Sequence, residues 1–216
     1  MKVLMLPGAT SPYSNDIRHV SFYKDCIEAL KETCVNIVTY AGQIGKKGTR
    51  EGELLFENSL REASTYFEQA DSEDIRLLCF CYGCLVGAQL VPRYAHLIRR
   101  AVFWAPLAFS ALWEHSVLSS ALWNNQEEYK GVKVAPRISK RLIPFGISIR
   151  KLGENCLVSM GENDKYMVPE TIEYYRSLAH PARPCFKLLP GLSHTITASD
   201  KGWELFVSEV LAWLTV

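Results

Sequence analysis

Short apolar runs alternate with longer amphipathic runs along almost the whole chain, and this alternation limits the possible folds. Strands that are apolar throughout are typical of parallel sheets buried on both faces. Amphipathic runs with helical spacing between them are typical of the helices that cover such a sheet. We therefore predict an α/β protein, a three-layer α/β/α sandwich around a mostly parallel sheet of about six strands.

The predicted elements are spread over all 216 residues, a length that fits one domain. The predicted strands are 2–6, 35–40, 75–81, 101–104, 156–160 and 186–189. The predicted helices are 21–34, a run from Thr49 as N-cap through Phe67, 84–94, 171–178 and 203–214. Residues 108–152 interrupt the rhythm. We predict that they form a cap or lid inserted over the ends of the strands, because long connections in compact domains are usually functional or disordered.

Composition argues against several classes of protein. A net charge of +1 does not fit a general nucleic-acid binder. Pro7-Gly8 ends the first apolar run too early for a signal peptide, and no uncharged apolar stretch reaches the roughly 18 residues of a membrane helix. The seven cysteines are odd in number and lie mostly in apolar runs, which argues for reduced thiols. We expect a cytoplasmic protein that binds neither nucleic acid nor membrane.

The segment Cys79-Phe80-Cys81-Tyr82-Gly83 joins a predicted strand to a predicted helix. A sharp strand-to-helix turn leaves room only for small residues two positions before and after its central residue, here Cys79 and Gly83. Such a turn lifts the central side chain above the sheet edge, at the N-terminus of the helix. The helix dipole there favours a thiolate. Cys81 is therefore a candidate nucleophile.

Two polar groups follow the last two predicted strands. Gly161-Glu162-Asn163-Asp164 comes after one strand, and Pro190-Gly191-Leu192-Ser193-His194 comes after the other. Open α/β sheets build their sites beyond the carboxyl ends of such strands. A nucleophile needs a base and an orienting acid, and the order here is nucleophile, acid, histidine. Asp164 is the candidate acid, with Glu162 as a competitor.

With these motifs in place, the sequence resembles the α/β-hydrolase family over nearly its whole length. The resemblance implies that Cys81 is the nucleophile, Asp164 the triad acid and His194 the base. It also implies that no cofactor is needed. The contexts Gly161-x-x-Asp164, followed by Val168-Pro169, and Gly191-x-x-His194 carry the similarity.

The resemblance also implies an oxyanion hole made by backbone amides of Tyr82 and of Ala9 or Thr10. The sequence departs from the usual pattern at three positions. Cys79 replaces the first glycine of the motif, a thiol at Cys81 replaces the common serine, and Pro7 stands where a histidine is common before Gly8. With a cysteine at this turn, the sequence is similar to dienelactone hydrolases and to some thioesterases and acyl-transferring members of the family.

The family therefore implies hydrolysis of a carboxylic ester, thioester or lactone through a covalent acyl-enzyme. Two other classes stay open: an acyltransferase or cyclase that uses the same triad, and a non-catalytic binding protein on a hydrolase scaffold. A binding protein would be favoured if Cys81 and His194 lay too far apart to hydrogen-bond. No metal is predicted, because Cys79, Cys81 and Cys84 lack the nearby histidine and loop-borne pairs of zinc sites.

The predicted insertion is basic and carries aromatic residues. Its charged residues are Lys130, Lys133, Arg137, Lys140, Arg141, Arg150 and Lys151, against Glu114, Glu127 and Glu128. This positive charge is either a solvated face or a means of recruiting a small acyl substrate that is anionic or carrier-bound. Trp113, Trp123 and Phe145 either line an apolar pocket for the acyl group or hold the cap down.

Overall fold

The computed structural model of the protein describes residues 1–8, 21–38, 40, 56–70, 74–106, 128–129, 132–133, 145–165, 167, 169–178 and 185–216. Its strands are β1 (Lys2–Leu6), β2 (Cys34–Ile37), β3 (Ile75–Phe80), β4 (Ile98–Trp104), β5 (Glu128–Tyr129), β6 (Val132–Lys133), β7 (Cys156–Gly161) and β8 (Cys185–Leu189). Six of them form one parallel sheet in the order β2-β1-β3-β4-β7-β8, while β5 and β6 form a separate antiparallel pair. The predicted six-stranded parallel sheet is confirmed.

The helices that flank the sheet follow the predicted runs, except for one short helix inside the predicted insertion. They are α1 (Ser21–Ala29), α2 (Phe56–Glu68), α3 (Tyr82–Tyr94), α4 (Phe145–Ile149), α5 (Pro169–Leu178) and α6 (203–215). A 3₁₀ turn lies at Ala95–Leu97, and a 3₁₀ segment that is kinked at Gly153 lies at Arg150–Asn155. The middle of α6, Val207–Leu211, is π-helical. None of the helices in the described part of the chain is long and apolar enough to cross a membrane.

Several boundaries differ from the prediction, and for two of them the reason is identifiable. Strand β4 begins at Ile98 instead of residue 101. The prediction began too late because the charged Arg99 and Arg100, near the start of the strand, interrupt its apolar pattern. Helix α3 begins at Tyr82 instead of residue 84, because Cys81 reverses the chain within a single residue. The helix N-terminus therefore lies directly behind the candidate nucleophile.

The sheet separates two apolar cores, as strands that are apolar on both faces require. In β3, Leu77 and Cys79 face the core that includes residues of α2, α3, α4 and α5. Leu78 and Phe80 face the core that includes residues of α1 and α6. Both cores extend to the carboxyl ends of the strands, so the candidate residues at that edge rest on rigid, closely packed elements.

The end of the predicted insertion packs against one of the two cores. Phe145, Ile149 and Leu152 are buried in the same core as α3. The Phe145 ring packs edge-to-face against Phe103, with 5.3 Å between ring centroids, and against Tyr175 at 5.4 Å. Residues 145–152 therefore pack in the helical layer. The cap over residues 108–152 stays a prediction, because most of residues 108–144 lie outside the described residues.

Candidate active site

Cys81 occupies a sharp turn between β3 and α3. Its φ of 48° and ψ of −112° lie outside the regions that residues with a Cβ normally adopt. Such a conformation costs of order 1–3 kcal/mol and persists only where the surroundings impose it. Here the Cys81 N–H donates to the carbonyl oxygen of Trp104 at 3.0 Å, which ties the turn to β4. The Cys81 side chain is partly exposed.

The loop after β1 lies against this turn at van der Waals distance. A Cβ added to Gly83 would lie 2.0 Å from the carbonyl oxygen of Leu6, and one added to Gly8 would lie 3.1 Å from the Cβ of Cys81. Residue 83 must therefore be glycine if α3 is to start against the end of β1. This close approach explains the small residue expected two positions after the nucleophile.

The larger residue at position 79 is accommodated one helical turn further along. A Cβ on Gly87 would lie 2.5 Å from the Sγ of Cys79. Gly87 thus supplies the space that the usual glycine at the first position of the motif would provide. The departure from the family pattern at Cys79 is matched by a second glycine in α3.

His194 and Asp164 meet at the carboxyl end of the sheet. The Nδ1 of His194 lies 2.7 Å from Oδ2 of Asp164, whose side chain is fully buried. Their loops are held together by the N–H of Asn163, which donates to the carbonyl of Leu192 at 2.8 Å. A Cβ on Gly161 would lie 2.1 Å from the oxygen of Leu192, so the contact leaves no room for a side chain.

The electrostatics of the site favour a protonated histidine. Burial lowers the pKa of His194. A negative charge on Cys81 and hydrogen bonds to Asp164 and Cys81 outweigh burial and raise this pKa to about 10. The imidazole therefore carries a proton at neutral pH, hydrogen-bonded to the carboxylate on one side and to Cys81 on the other. The structure brings the three candidate residues together in one chain of hydrogen bonds.

Only part of the predicted oxyanion hole and pocket is described. Tyr82 is the first residue of α3, a position whose N–H has no partner within a helix. Its hydroxyl donates to Oγ of Ser59 at 3.1 Å, which fixes the ring in the core. The other predicted residues, Ala9, Thr10, Trp113 and Trp123, lie outside the described residues. The packing of Phe145 against Phe103 favours its role in holding the segment down.

Two residues that sequence reasoning missed support the site from behind. The hydroxyl of Tyr23 accepts the N–H of Gly8 at 2.9 Å, and burial raises the pKa of Tyr23, so the phenol stays neutral. Trp104 binds both loops: its carbonyl accepts from Cys81, and its Nε1–H donates to the carbonyl of His194 at 2.9 Å. The sequence does place Trp104 at the end of a central predicted strand, and because a buried indole N–H needs an acceptor, this position indicates a hydrogen bond to a neighbouring loop.

The alternatives named from sequence have other partners. Glu162 is exposed, and its carboxylate accepts the N–H of Gly191 at 3.4 Å, whereas the carboxylate beside His194 is that of Asp164. Burial raises the pKa of the Cys79 and Cys84 thiols, which favours the protonated form over the thiolate that a metal requires. Among the described residues, no group of three or more His, Cys, Asp or Glu side chains could hold a metal ion.

No protein-family model matches the sequence, and a search of curated proteins finds no relative. Solved structures match it at low identity. DcsB in complex with its substrate analogue has a TM-score of 0.65 at 15% identity and covers 99% of this chain and 90% of its own. Est1E from Butyrivibrio proteoclasticus has a TM-score of 0.65 at 14% identity, with 100% and 88% covered. Monoacylglycerol lipase from Paleococcus ferrophilus has a TM-score of 0.62 at 16% identity, with 99% and 93% covered.

These similarities establish the class of fold. The order of the sheet, the turn at Cys81 and the positions of Asp164 and His194 after β7 and β8 agree with it. The chain has the α/β-hydrolase fold, as the sequence resemblance implied.

Proposed function

We propose that this protein hydrolyses a carboxylic ester, thioester or lactone through a covalent acyl-enzyme on Cys81. One observation carries the proposal: the hydrogen-bonded series Cys81–His194–Asp164 at the N-terminus of α3. A nucleophile beside a base that a third group orients is the arrangement that acyl transfer requires. Proteins of the same fold whose names denote a lipase and lipolytic enzymes add support.

The chemistry follows from the protonation state of His194. The Cys81 thiolate attacks the carbonyl carbon, and the carbonyl electron pair moves onto oxygen, where the amide of Tyr82 donates a hydrogen bond. The His194 imidazolium then gives its proton to the leaving alkoxide or thiolate, which leaves a thioester on Cys81. Water attacks this thioester while His194 accepts its proton, and the acid product leaves with the thiolate restored. Asp164 holds the imidazole and stabilises its charge throughout.

The nucleophile limits the class of substrate. A thiolate is a better leaving group than an unprotonated amine, so the tetrahedral intermediate formed from an amide goes forward only if His194 first protonates the nitrogen, which makes amides the less favoured substrates. Esters, thioesters and lactones instead offer leaving groups that compete with the thiolate. The same acyl-enzyme would serve an acyltransferase or cyclase if an acceptor replaced water.

The contact between Cys81 and His194 also bears on the non-catalytic alternative. A binding protein on this scaffold has no requirement for a thiol hydrogen-bonded to a histidine, nor for a fully buried carboxylate 2.7 Å behind that histidine. The pairing with His194 offsets the cost of burying the Asp164 carboxylate. The three groups together therefore favour a catalytic role.

The test is site-directed labelling with an acyl-phosphonate or chloromethyl-ketone probe, located by mass spectrometry. We expect the adduct on Cys81 and a proportional loss of activity on phenyl esters and acyl thioesters. Cys81→Ala should abolish turnover. Cys34→Ala is the control: it removes an exposed thiol at the start of β2, distant in sequence from Cys81, and should leave activity unchanged.

Full activity in Cys81→Ala would overturn the proposal. Adding alcohol, amine and thiol acceptors to the wild-type reaction distinguishes hydrolysis from transfer: an acceptor-dependent change in product ratio with little free acid would assign the protein to the acyltransferases.

A further inference from the structure

The candidate nucleophile is the first cysteine of a Cys-x-x-Cys sequence. Cys81 precedes α3 and Cys84 lies in its first turn. The proposed hydrolysis uses only Cys81 and gives Cys84 no role. Cys-x-x-Cys pairs at helix N-termini form reversible disulfides, because the helix activates the first thiol and the second lies within reach of it.

The backbone brings the Cα atoms of the two cysteines within the separation that a disulfide allows. The N–H of Cys84 donates to the carbonyl of Cys81 at 3.0 Å and closes a turn. Such a turn holds its end Cα atoms within about 7 Å, close to the upper limit for a disulfide. In addition, Sγ of Cys84 donates to the carbonyl of Trp104 at 3.3 Å, and the same oxygen accepts the N–H of Cys81 at 3.0 Å. One shared acceptor therefore separates the Cys84 sulfur from the backbone of Cys81.

The two thiols differ in the way that a reversible pair requires. Cys81 is partly exposed and hydrogen-bonded to His194, so a dissolved oxidant meets it first. Cys84 is fully buried. Its pKa is raised first by burial and then by the neighbouring thiols of Cys79, Cys81 and Cys156, so it remains protonated and shielded. Cys81 is therefore the thiol that reacts first with an oxidant, and Cys84 is the buried thiol that can react with it afterwards.

We propose that Cys81 and Cys84 form a dithiol–disulfide pair by which a peroxide reversibly blocks the site. The Cys81 thiolate attacks a peroxide oxygen; the S–O bond forms, the O–O bond breaks, and the alkoxide or hydroxide leaves and takes up a proton. Cys84 then attacks the Cys81 sulfur. The S–S bond forms, the S–O bond breaks, and the Cys84 proton leaves with the hydroxide as water. The two thiols lose two electrons and the peroxide gains them.

This pairing has two consequences, and the loss of activity rests on the proposed function. The disulfide removes the thiolate from the acyl-transfer site, so activity stops. It also consumes the sulfenic acid before a second peroxide converts it to sulfinic acid, which dithiols do not reduce. Cys84 would thereby protect Cys81 from irreversible oxidation.

The direct test is disulfide mapping after brief treatment of the intact protein with hydrogen peroxide. Chymotrypsin cleaves after Phe80 and after Tyr82, so it separates Cys79, Cys81 and Cys84 into different peptides. We expect a peptide pair joined through Cys81 and Cys84 that separates on reduction. Sulfinic acid on Cys81 with no such pair, or a pair that joins Cys81 to Cys79, would overturn the proposal.

A pair of variants tests protection. Wild-type protein treated with peroxide should recover its activity on reduction with dithiothreitol, whereas Cys84→Ala should lose this recovery and accumulate sulfinic acid on Cys81. Cys156→Ala removes an equally buried thiol of the same cluster and should recover like wild type. Equal recovery in all three proteins would refute the role of Cys84. A Cys81–Cys84 link together with full turnover by Cys81→Ala would instead refute the hydrolase and leave the pair intact.

Discussion

Replacing Asp164 by asparagine tests the electrostatic core of the site. The substitution keeps the size of the side chain and removes one buried negative charge that lies 2.7 Å from Nδ1 of His194. Two effects follow. The imidazolium loses the charge that stabilises it, and the asparagine amide can hold the ring in the wrong tautomer, because its NH₂ donates where the carboxylate accepted.

The magnitude follows from the pKa of His194. The negative charge of Cys81 and then Asp164, through its hydrogen bond and its charge, raise the pKa of His194 from its ordinary 6.5 to about 10, so Asp164 supplies part of the preference for the protonated ring. Losing that share, with the tautomer misplaced, should lower kcat by about 10²–10⁴-fold, or roughly 3–5 kcal/mol. The pKa of His194 should fall in the variant.

The raised pKa of His194 also fixes how stability and turnover change with pH. A histidine whose pKa is raised on folding stabilises the protein fully below pH 6.5, and this stabilisation is lost as the pH rises through about 10. Wild-type turnover of an alkyl thioester should therefore persist until the pH approaches 10 and then fall as the leaving group loses its proton donor. In Asp164→Asn the alkaline limb should move to lower pH, and stability should depend less on pH between these values.

The assay is kcat/KM against pH for an alkyl thioester, with melting temperatures measured over the same range. Glu162→Gln is the matched control, because it neutralises an exposed carboxylate of the same loop and should leave the profile unchanged. Wild-type turnover in Asp164→Asn, with a loss in Glu162→Gln, would show that the acid has been assigned to the wrong residue.

Three further changes test the surroundings of the triad. Tyr23→Phe should cost about 1–3 kcal/mol of unfolding free energy and lower kcat, because it removes the hydroxyl that accepts the buried N–H of Gly8. Tyr94→Phe is the control and should change the unfolding free energy little. Equal melting temperatures for the two variants would contradict this prediction. Gly83→Ala should destabilise the protein by about 3 kcal/mol or more, measured by urea unfolding, since its Cβ would meet Leu6; a wild-type transition midpoint would contradict it. Neutralising Lys140, Arg141 and Arg150 together should raise KM for an anionic thioester and weaken its salt dependence while sparing a neutral ester; unchanged kinetics would leave the basic segment as a solvated face.

The layered fold and the order of its elements could be predicted from the sequence, because the spacing of apolar residues follows directly from which side chains are buried. Strand β3 is apolar on both faces, and its run stands out for that reason. Strand β4 was only half recognised, since Arg99 and Arg100 lie at its start, where side chains reach solvent. Charge at the end of a strand hides the pattern without weakening the backbone pairing.

The candidate triad was readable for a different reason. Residues just beyond parallel strands share one edge of the sheet, so the sequence alone is enough to group Cys81, Asp164 and His194. The supporting contacts of Tyr23 and Trp104 could not be predicted in this way, because they depend on side chains reaching across the sheet between elements distant in sequence. The role of residues 145–152 was also missed, because a short helix between loops lacks the length that makes periodicity decisive.

The departure at position 79 leads to a last prediction about compensation within the fold. Gly87 lies in the middle of α3, where glycine normally costs about 1 kcal/mol relative to alanine. The Cys79 sulfur, 2.5 Å from a Cβ at that position, explains why it is kept. In the wild type, Gly87→Ala should therefore destabilise by about 1–3 kcal/mol through overpacking.

In a Cys79→Gly background the sulfur is gone, and the closest remaining neighbours of that Cβ are Phe103 at 3.3 Å and Leu6 at 3.4 Å. Gly87→Ala should then cost little or even stabilise the helix, so a double-mutant cycle in urea should give a coupling free energy of about 1–3 kcal/mol. Additive effects would show that the two positions are independent, and the glycine in α3 would need another explanation. A clear coupling would show that this chain keeps its sharp turn with a glycine moved from the strand to the helix that packs against it.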